Sequence, residues 1–509
     1  MENVRQKLKI FNYRPLVLVF LGLVAGIFVN HFITRNTIIT FIGLVIVAII
    51  LGVYCVLHKK FKYVIIFGLC FILGFGCFEI YMNQHIHNPN NWTGKYASGV
   101  VTNITNRSSY LELVVEDVVV DDRELEYNIL LKYYNIYQDG YTKIENGTKI
   151  RFKIEDQSVP NYYYKDKPNS SILDDNIGMC ATTFEAELLQ SDINIRYSLL
   201  KKVRKNLRYG LNNLNGEMIY SAMFGDRTNL NHDLYDAYKG AGVAHLLAVS
   251  GLHVGLVVAI LYWILKRCKV QGWWRVAIIA PILIFYAYLC GFSYSIMRAT
   301  IMILVLIIAP QLFSEYDLLS SICFAGSLVL LIEPVALFDL SAQLSFGCVF
   351  GIAMIYPIFK RWLNKIKINH PITDSFCISL STLLSTAVFM AYYFGYLQPI
   401  GLISNIILIP IFGILFTLAF VAAMSSLIVP VISYALILVN PLFEWLNWAI
   451  IFIANHARVW LTPSVNYLTI ILFCILLTFA SKYNLKKGLT KLTLVALSVG
   501  VLALQIYLI

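Results

Sequence analysis

From Gly242 to Ile509 the chain is a nearly unbroken series of apolar runs separated by short polar loops. A bilayer's hydrocarbon core takes roughly 20 apolar residues of helix to cross. Inside it every backbone polar group must bond within the protein, which restricts spanning forms to α-helices and closed barrels. Runs of this length dictate helices. Composition agrees: of 509 residues, 58% are hydrophobic and 14% charged, against about 25% charged in soluble proteins. Three runs open the chain, near 15–34, 37–57 and 62–82. More follow near 242–265, 273–291, 295–313, 316–332, 339–358, 375–396, 399–428, 431–456, 464–481 and 489–508. The predicted fold class is a polytopic α-helical membrane protein of about thirteen crossings. No small-residue cleavage pattern follows the first run, so no cleavable signal peptide is expected.

Basic residues in short loops set orientation. Arg5, Lys7, Lys9 and Arg14 place the N-terminus in the cytoplasm, and Lys59, Lys60 and Lys62 return to that side after the second crossing. Lys266, Arg267, Lys269 and Arg275, then Lys360, Arg361, Lys365 and Lys367, then Lys482, Lys486, Lys487 and Lys491 do the same. The polar region 84–198 then lies outside. Period-two alternation predicts strands over Tyr96–Ile104, Tyr110–Val120, Tyr127–Tyr134, Lys149–Ile154 and Cys180–Leu189, with Asp139-Gly140 and Asn146-Gly147 as turns. Such a pattern suits an inserted extracytoplasmic small β-barrel, OB-like, and also other small β domains. The predicted division is 1–83 (three helices), 84–198 (β domain), 199–241 (amphipathic basic segment and linker) and 242–509 (multi-helix block).

Charge is unevenly spread. Residues 84–198 hold 11 Lys/Arg and 17 Asp/Glu, net −6 within a chain of net +11, which makes the outer region a poor generic phosphate binder. Its tyrosines at 133, 134, 137, 141, 162, 163 and 164 read as a solvated or interfacial cluster, or as a base-stacking surface. Lys201, Lys202, Arg204, Lys205 and Arg208 break the positive-inside pattern on a predicted amphipathic helix, Ile195–Leu214. They read either as headgroup anchors or as a cationic lip that gathers a polyanion.

Four polar insertions interrupt the apolar block. The first is Gly240–Leu256; on one helix at about 100° per residue His245, Ser250 and His253 would share an arc of roughly 140°. Gly251 and Gly255 would lie on another side, in the small-xxx-small spacing of packed membrane helices. The second carries Ser293, Ser295 and Arg298, where Arg298 either snorkels to headgroups or faces the interior. The third carries Asp339, Gln343 and Ser345, with Asp339 placed to form an ion pair with Arg298. The fourth, Gly395–Pro410, contains Asn405 and Pro410 and predicts a broken or re-entrant helix. Intramembrane polar groups are costly and mark functional paths; together these four favour a hydrated route.

Other chemistries lack their residues. There is no GxxxxGK[ST] and no HExxH, and His85-Ile86-His87 has no acidic-His pair after it. Nine of the ten cysteines lie in or beside apolar runs, and Cys180 stands alone in the polar region, so neither a disulfide framework nor zinc is indicated. No metal or other cofactor and no catalytic residue is expected. Ser250 and His253 could be drawn as nucleophile and base, without an acidic orienter nearby. A secondary transporter of a small anion or lipid precursor, and an intramembrane hydrolase, stay as rival readings.

The segment His245-Leu246-Leu247-Ala248-Val249-Ser250-Gly251-Leu252-His253 resembles the ComEC family, the membrane channel of bacterial DNA uptake in natural transformation. Gly225-Asp226-Arg227, Ser293–Ala299, Gln343-Leu344-Ser345-Phe346 and Asn405–Pro410 extend the likeness, as does the overall plan. The resemblance implies a channel in the cytoplasmic membrane that passes single-stranded DNA inward, in contact with membrane lipid. It also implies an envelope DNA receptor and a cytoplasmic ATPase as partners. His245, Ser250, His253, Ser293, Ser295, Arg298, Asp339, Gln343, Ser345 and Asn405 would line the path. Many family members carry a metallo-β-lactamase-like nuclease domain with an HxHxDH motif; here that motif is missing before Ile509, so strand degradation is expected to need a separate nuclease or not to occur.

Overall fold

The structure, a computed structural model, describes residues 14–33, 61–87, 89–106, 109–134, 144–164, 167–189, 195–365, 371–456 and 461. The crossings read at 37–57, 464–481 and 489–508 lie outside the described residues. So do Tyr137, Tyr141 and most of the N- and C-terminal basic residues used for orientation.

Helices α1 (Pro15–Ile33) and α2 (Phe61–His85) pack face to face. Their contact rests on small residues: a Cβ on Gly22 would lie 2.8 Å from the Phe67 carbonyl oxygen, and one on Gly26 would run into Phe71. Close backbone approach of this kind is what small-xxx-small spacing permits.

The polar region folds as predicted into strands. β1 (Tyr96–Asn106), β2 (Leu111–Val120), the short β3 (Arg123–Glu124) and β4 (Asn128–Tyr133) come first. β5 (Lys149–Lys153), β6 (Asp156–Ser158), β7 (Tyr163–Tyr164), β8 (Lys167–Pro168), β9 (Ile177–Thr183) and β10 (Ala186–Leu189) follow, with a short helix α3 (Ser170–Asp174) before β9. The main sheet runs β10-β5-β1-β2-β4-β9-β6; β4 and β9 are parallel, and the other pairs are antiparallel. β5 pairs with β10 while β6 pairs with β9, so both ends of the path are continuations of strands already in it. Alternate residues such as Leu113, Val115, Ile129, Leu131, Ile150 and Phe152 point into a common apolar core, as period-two sequences require.

Helix α4 (Ile195–Gly210) leads into the block, followed by α5 (Asn213–Phe224) and α6 (His232–Gly240). α4 buries Leu200, Val203 and Leu207 against the helical core, so it is an integral helix with one solvent-facing side. The next predicted crossing is corrected. Residues 242–265 are not one helix: Gly242 is left-handed (φ +76), Ala244–Leu247 form a 3-10 turn, and Ala248 and Ser250 are extended. Only at Gly251 does α7 (Gly251–Arg267) begin. The break has a tertiary cause. A Cβ on Gly242 would lie 2.7 Å from the Cα of Gly401, where two backbones cross. Gly242→Ala therefore meets both a left-handed penalty of about 1–2 kcal/mol and overpacking of about 1–3 kcal/mol. Thermal unfolding of the detergent-solubilised protein is expected to show a clear loss of stability.

The remaining helices are α8 (Trp273–Leu289), α9 (Tyr294–Ile308), α10 (Leu318–Ile332), α11 (Leu340–Met354), α12 (Tyr356–Lys365), α13 (Pro371–Phe394), α14 (Gly401–Ser426) and α15 (Asn440–His456). α14 passes unbroken through Pro410, correcting the expected break there. The sharp bend lies instead between the 3-10 turn Pro430–Leu438 and α15, at 50°. Among the described residues five helices are long and apolar enough to cross a membrane, or six with that bent pair. Pro15–His31, Trp273–Leu289 and Leu318–Ile332 are shorter apolar helices.

The parts are joined. Arg14 at the start of α1 donates from Nε and Nη2 to the two carboxylate oxygens of Asp317, both at 2.7 Å, and Asp317 also caps α10. Ile27, Phe78, Val114, Ile172, Val335 and Phe338 belong to a single apolar cluster, drawn from α1, α2, the sheet region and the segment before α11.

Candidate functional site

The polar residues predicted to line a path do not sit on one helical arc; three helices bring part of the set together. Arg298, on α9, is only 6% exposed. Its Nη1 donates to the carbonyl oxygen of Ser345 on α11. Its Nη2 lies against Gly251 at the start of α7, where an added Cβ would be 2.5 Å away. One turn before Arg298, Ser295 is bonded through its Oγ to Ser345 Oγ at 3.0 Å. Ser250 is the N-cap residue of α7 but makes no side-chain cap bond. Gly251 thus makes room for a guanidinium and Ala299 on α9, while a Cβ on Gly255 would meet open space. The predicted two-glycine packing face is revised accordingly.

His253 lies one turn into α7, fully buried, with its ring stacked on Phe416 at 4.3 Å and tilted against Phe412 at 5.8 Å. Neither ring nitrogen makes a well-formed hydrogen bond, although the Ala222 backbone lies nearby. His245, on the preceding 3-10 turn, keeps solvent-accessible surface. Asp339 does not pair with Arg298, correcting that expectation. Its carboxylate caps α11 by accepting from Ala342 N at 2.9 Å, while Gln343 Nε2 donates to the Leu337 carbonyl at 2.8 Å. Ser293 is the N-cap residue of α9 and exposed, and Asn405 sits on α14.

Sequence spacing does not single out several further polar groups here. Thr300 Oγ1, Ser404 Oγ and Gln398 Nε2, like Asn405 Oδ1, Arg298 Nε and both His253 nitrogens, are buried without a partner. They lie on α7, α9, α14 and the turn leading into α14. More than nine in ten buried polar groups are satisfied in folded proteins, so orphans of this kind mark places where water or a ligand completes the bonding. Their signal was adjacency: Thr300 stands two residues after Arg298, and Ser404 next to Asn405.

The basic segment is also revised. Glu217 on α5, 7% exposed, accepts from Arg204 Nε at 3.0 and 2.9 Å and from Arg208 Nη2 at 2.7 Å, and Arg204 Nη2 pairs with it too. Asp226 stands 3.8 Å from Arg204. Lys201 meets Glu145 at 2.7 Å, with both side chains exposed, and Lys202 Nζ donates to the Leu427 carbonyl at 3.0 Å. Four of the five expected gathering cations thus meet partners within the fold, Arg204 and Arg208 through the nearly buried Glu217, and Lys205 stays exposed.

A junction joins the β domain to this region. Tyr294, at the start of α9, donates to Asp174 Oδ2 at 2.6 Å, and Tyr81 on α2 reaches Asp174 Oδ1 at 3.4 Å. The crowding of Asp174 by protein pushes its carboxyl up to about 8; the nearby Glu333, Asp339 and Asp175 carboxylates add to this, and the Tyr294 hydroxyl opposes it. A raised carboxyl binds its proton more tightly when folded, so stability is lost as pH rises from the ordinary value of 3.8 toward about 8. Water that reaches Asp174 screens the size of the effect. Asp174→Asn is expected to lose less thermal stability than the parent between pH 5 and pH 9; parallel losses would contradict this.

A family profile described as Competence protein matches residues 222–487. The chain belongs to the competence protein family. The polar residues named on α7, α9, α11 and α14 all fall inside that matched region. ComE operon protein 3 of Bacillus subtilis is 26% identical over 223 residues, 43% of this chain and 28% of that protein. Recombination protein 2 of Haemophilus influenzae is 26% identical over 268 residues, 50% of this chain and 32% of that protein. Competence protein ComA of Neisseria gonorrhoeae is 28% identical over 198 residues, 37% of this chain and 27% of that protein. The chain therefore matches a third or less of the length of these three relatives. No solved structure matches it.

Proposed function

We propose that this chain is a membrane channel for import of single-stranded DNA across the bacterial cytoplasmic membrane during natural transformation. Membership of the competence protein family supports a role in DNA uptake. The observation that carries the channel reading is the group of buried, unpartnered polar atoms on α7, α9 and α14. Ser250, Ser295, Arg298, Ser345 and Asn405 would line the path, with His245 and Ser293 toward its ends and His253 behind the wall. Sparse cationic and many neutral polar groups suit passage of a polyanion, because tight binding at each step would stop conduction. The reading includes no covalent chemistry in this chain.

In this reading residues 84–198 form a small OB-like barrel outside the membrane and the N-terminus is cytoplasmic. Residues 199–241 link that domain to the channel of 242–509, beyond the helices of 1–83. Lys201, Lys202 and Lys205 would meet the incoming strand or lipid headgroups. An envelope receptor, a cytoplasmic ATPase and a nuclease would act with it. Deleting the chain from a transformable host should reduce labelled DNA in the DNase-resistant fraction to background. Unchanged uptake would overturn the proposal.

A further inference from the structure

The start of α7 combines two positive ends with no carboxylate to balance them. The first-turn N–H groups of a helix have no intrahelical acceptors, and the aligned peptide dipoles place about half a positive charge there. Ser250, at the N-cap position, gives these groups no side-chain acceptor. The Arg298 guanidinium is pressed against the same end, with Nη2 over Gly251. Arg298 is more than nine-tenths buried, its Nε has no acceptor, and its Nη1 is held by the Ser345 carbonyl. Among the described residues no acidic side chain forms an ion pair with it. An uncompensated buried ion costs several kcal/mol, and a neighbouring helix N-terminus raises that cost further.

We propose that Arg298 and the N-terminus of α7 form a buried binding site for one phosphate-type oxyanion. The chemistry selects this class. Backbone N–H groups at a helix start bind phosphates, and the guanidinium fork matches two oxygens of one phosphate. Ser250, Gly251, Ser295 and Ser345 are all half-buried, so the rim is within reach of water. The site stands on this geometry alone. Only the source of the anion rests on the channel reading, which makes it a phosphodiester of the passing strand.

The test uses the full chain in detergent, with thermal unfolding followed against inorganic phosphate at constant ionic strength, and chloride and acetate as controls. Phosphate should raise the midpoint in a saturable way beyond either control. Arg298→Met and Leu252→Pro, which removes a first-turn N–H that has no intrahelical acceptor, should each weaken the response by about tenfold or more. Arg298→Lys should retain part of it. No phosphate effect beyond chloride, or equal effects in the parent and Arg298→Met, overturns the site. A single-stranded oligonucleotide should compete with phosphate, and one with an uncharged backbone should not. Phosphate binding without such competition keeps the site and removes DNA as its source; competition by anionic lipid instead assigns it to a headgroup.

Discussion

Arg298→Met is expected to lower DNA uptake by about a hundredfold while leaving the protein as stable as the parent or more so. The two halves of that result have one cause. Arg298 is buried between α7, α9 and α11 with one backbone carbonyl as partner and an orphaned Nε, so in the resting protein it contributes little to offset its desolvation. Replacing a buried charge by an apolar side chain of similar volume is often neutral or stabilising. A passing phosphate would supply the missing counter-charge, and a charge-assisted hydrogen bond of about 3 kcal/mol corresponds to roughly a hundredfold in binding. If Arg298 were merely a structural brace, stability and uptake would fall together. Uptake by cells expressing the variant, set beside unfolding of the purified protein, separates the two.

Glu217→Ala is expected to give the opposite pattern, a loss of about 3 kcal/mol or more in stability with uptake falling only as folded protein falls. Glu217 is nearly buried and serves both Arg204 and Arg208. Removing it strands the Arg204 guanidinium over the Tyr220 ring, with Asp226 at 3.8 Å its remaining acidic neighbour. Arg208 is about half exposed and recovers water, so most of the loss arises at Arg204. Were these arginines free to gather DNA instead, the alanine variant would bind single strands more tightly at unchanged stability. Denaturant unfolding together with oligonucleotide binding decides between these outcomes.

The sequence makes local order legible and long-range pairing much less so. Period-two alternation locates β1, β2, β4 and β5 to within a few residues, because each strand shows one face to the core in Leu113, Val115, Ile129 and Leu131, whereas the strand expected over Cys180–Leu189 is two, β9 and β10. Apolar runs locate α2, α9, α13 and α14 for the same reason. The break at Gly242 is not legible, since its cause is the backbone of Gly401, more than 150 residues away. Asp339 is used by the α11 N-terminus rather than by Arg298, a local demand that prevails over a distant charge. The buried chain Asn215–Asn447–Tyr238, with bonds of 2.7 and 2.8 Å, ties α5, α6 and α15 together across more than 200 residues and leaves no spacing to read. Gly22 and Gly26, at the same four-residue spacing, carry the α1–α2 contact, although nothing in the sequence singles them out from Gly251 and Gly255.

Thiol labelling addresses the aqueous route itself. In a background depleted of native cysteines, single cysteines at 250, 295, 345 and 405 would be exposed to a small, charged, membrane-impermeant reagent, with exposed Ile407 on the outer side of α14 as reference. The account predicts labelling at those four positions at least several times faster than at 407, slowed by single-stranded DNA. Rates at all four no greater than at 407, with or without DNA, would contradict it.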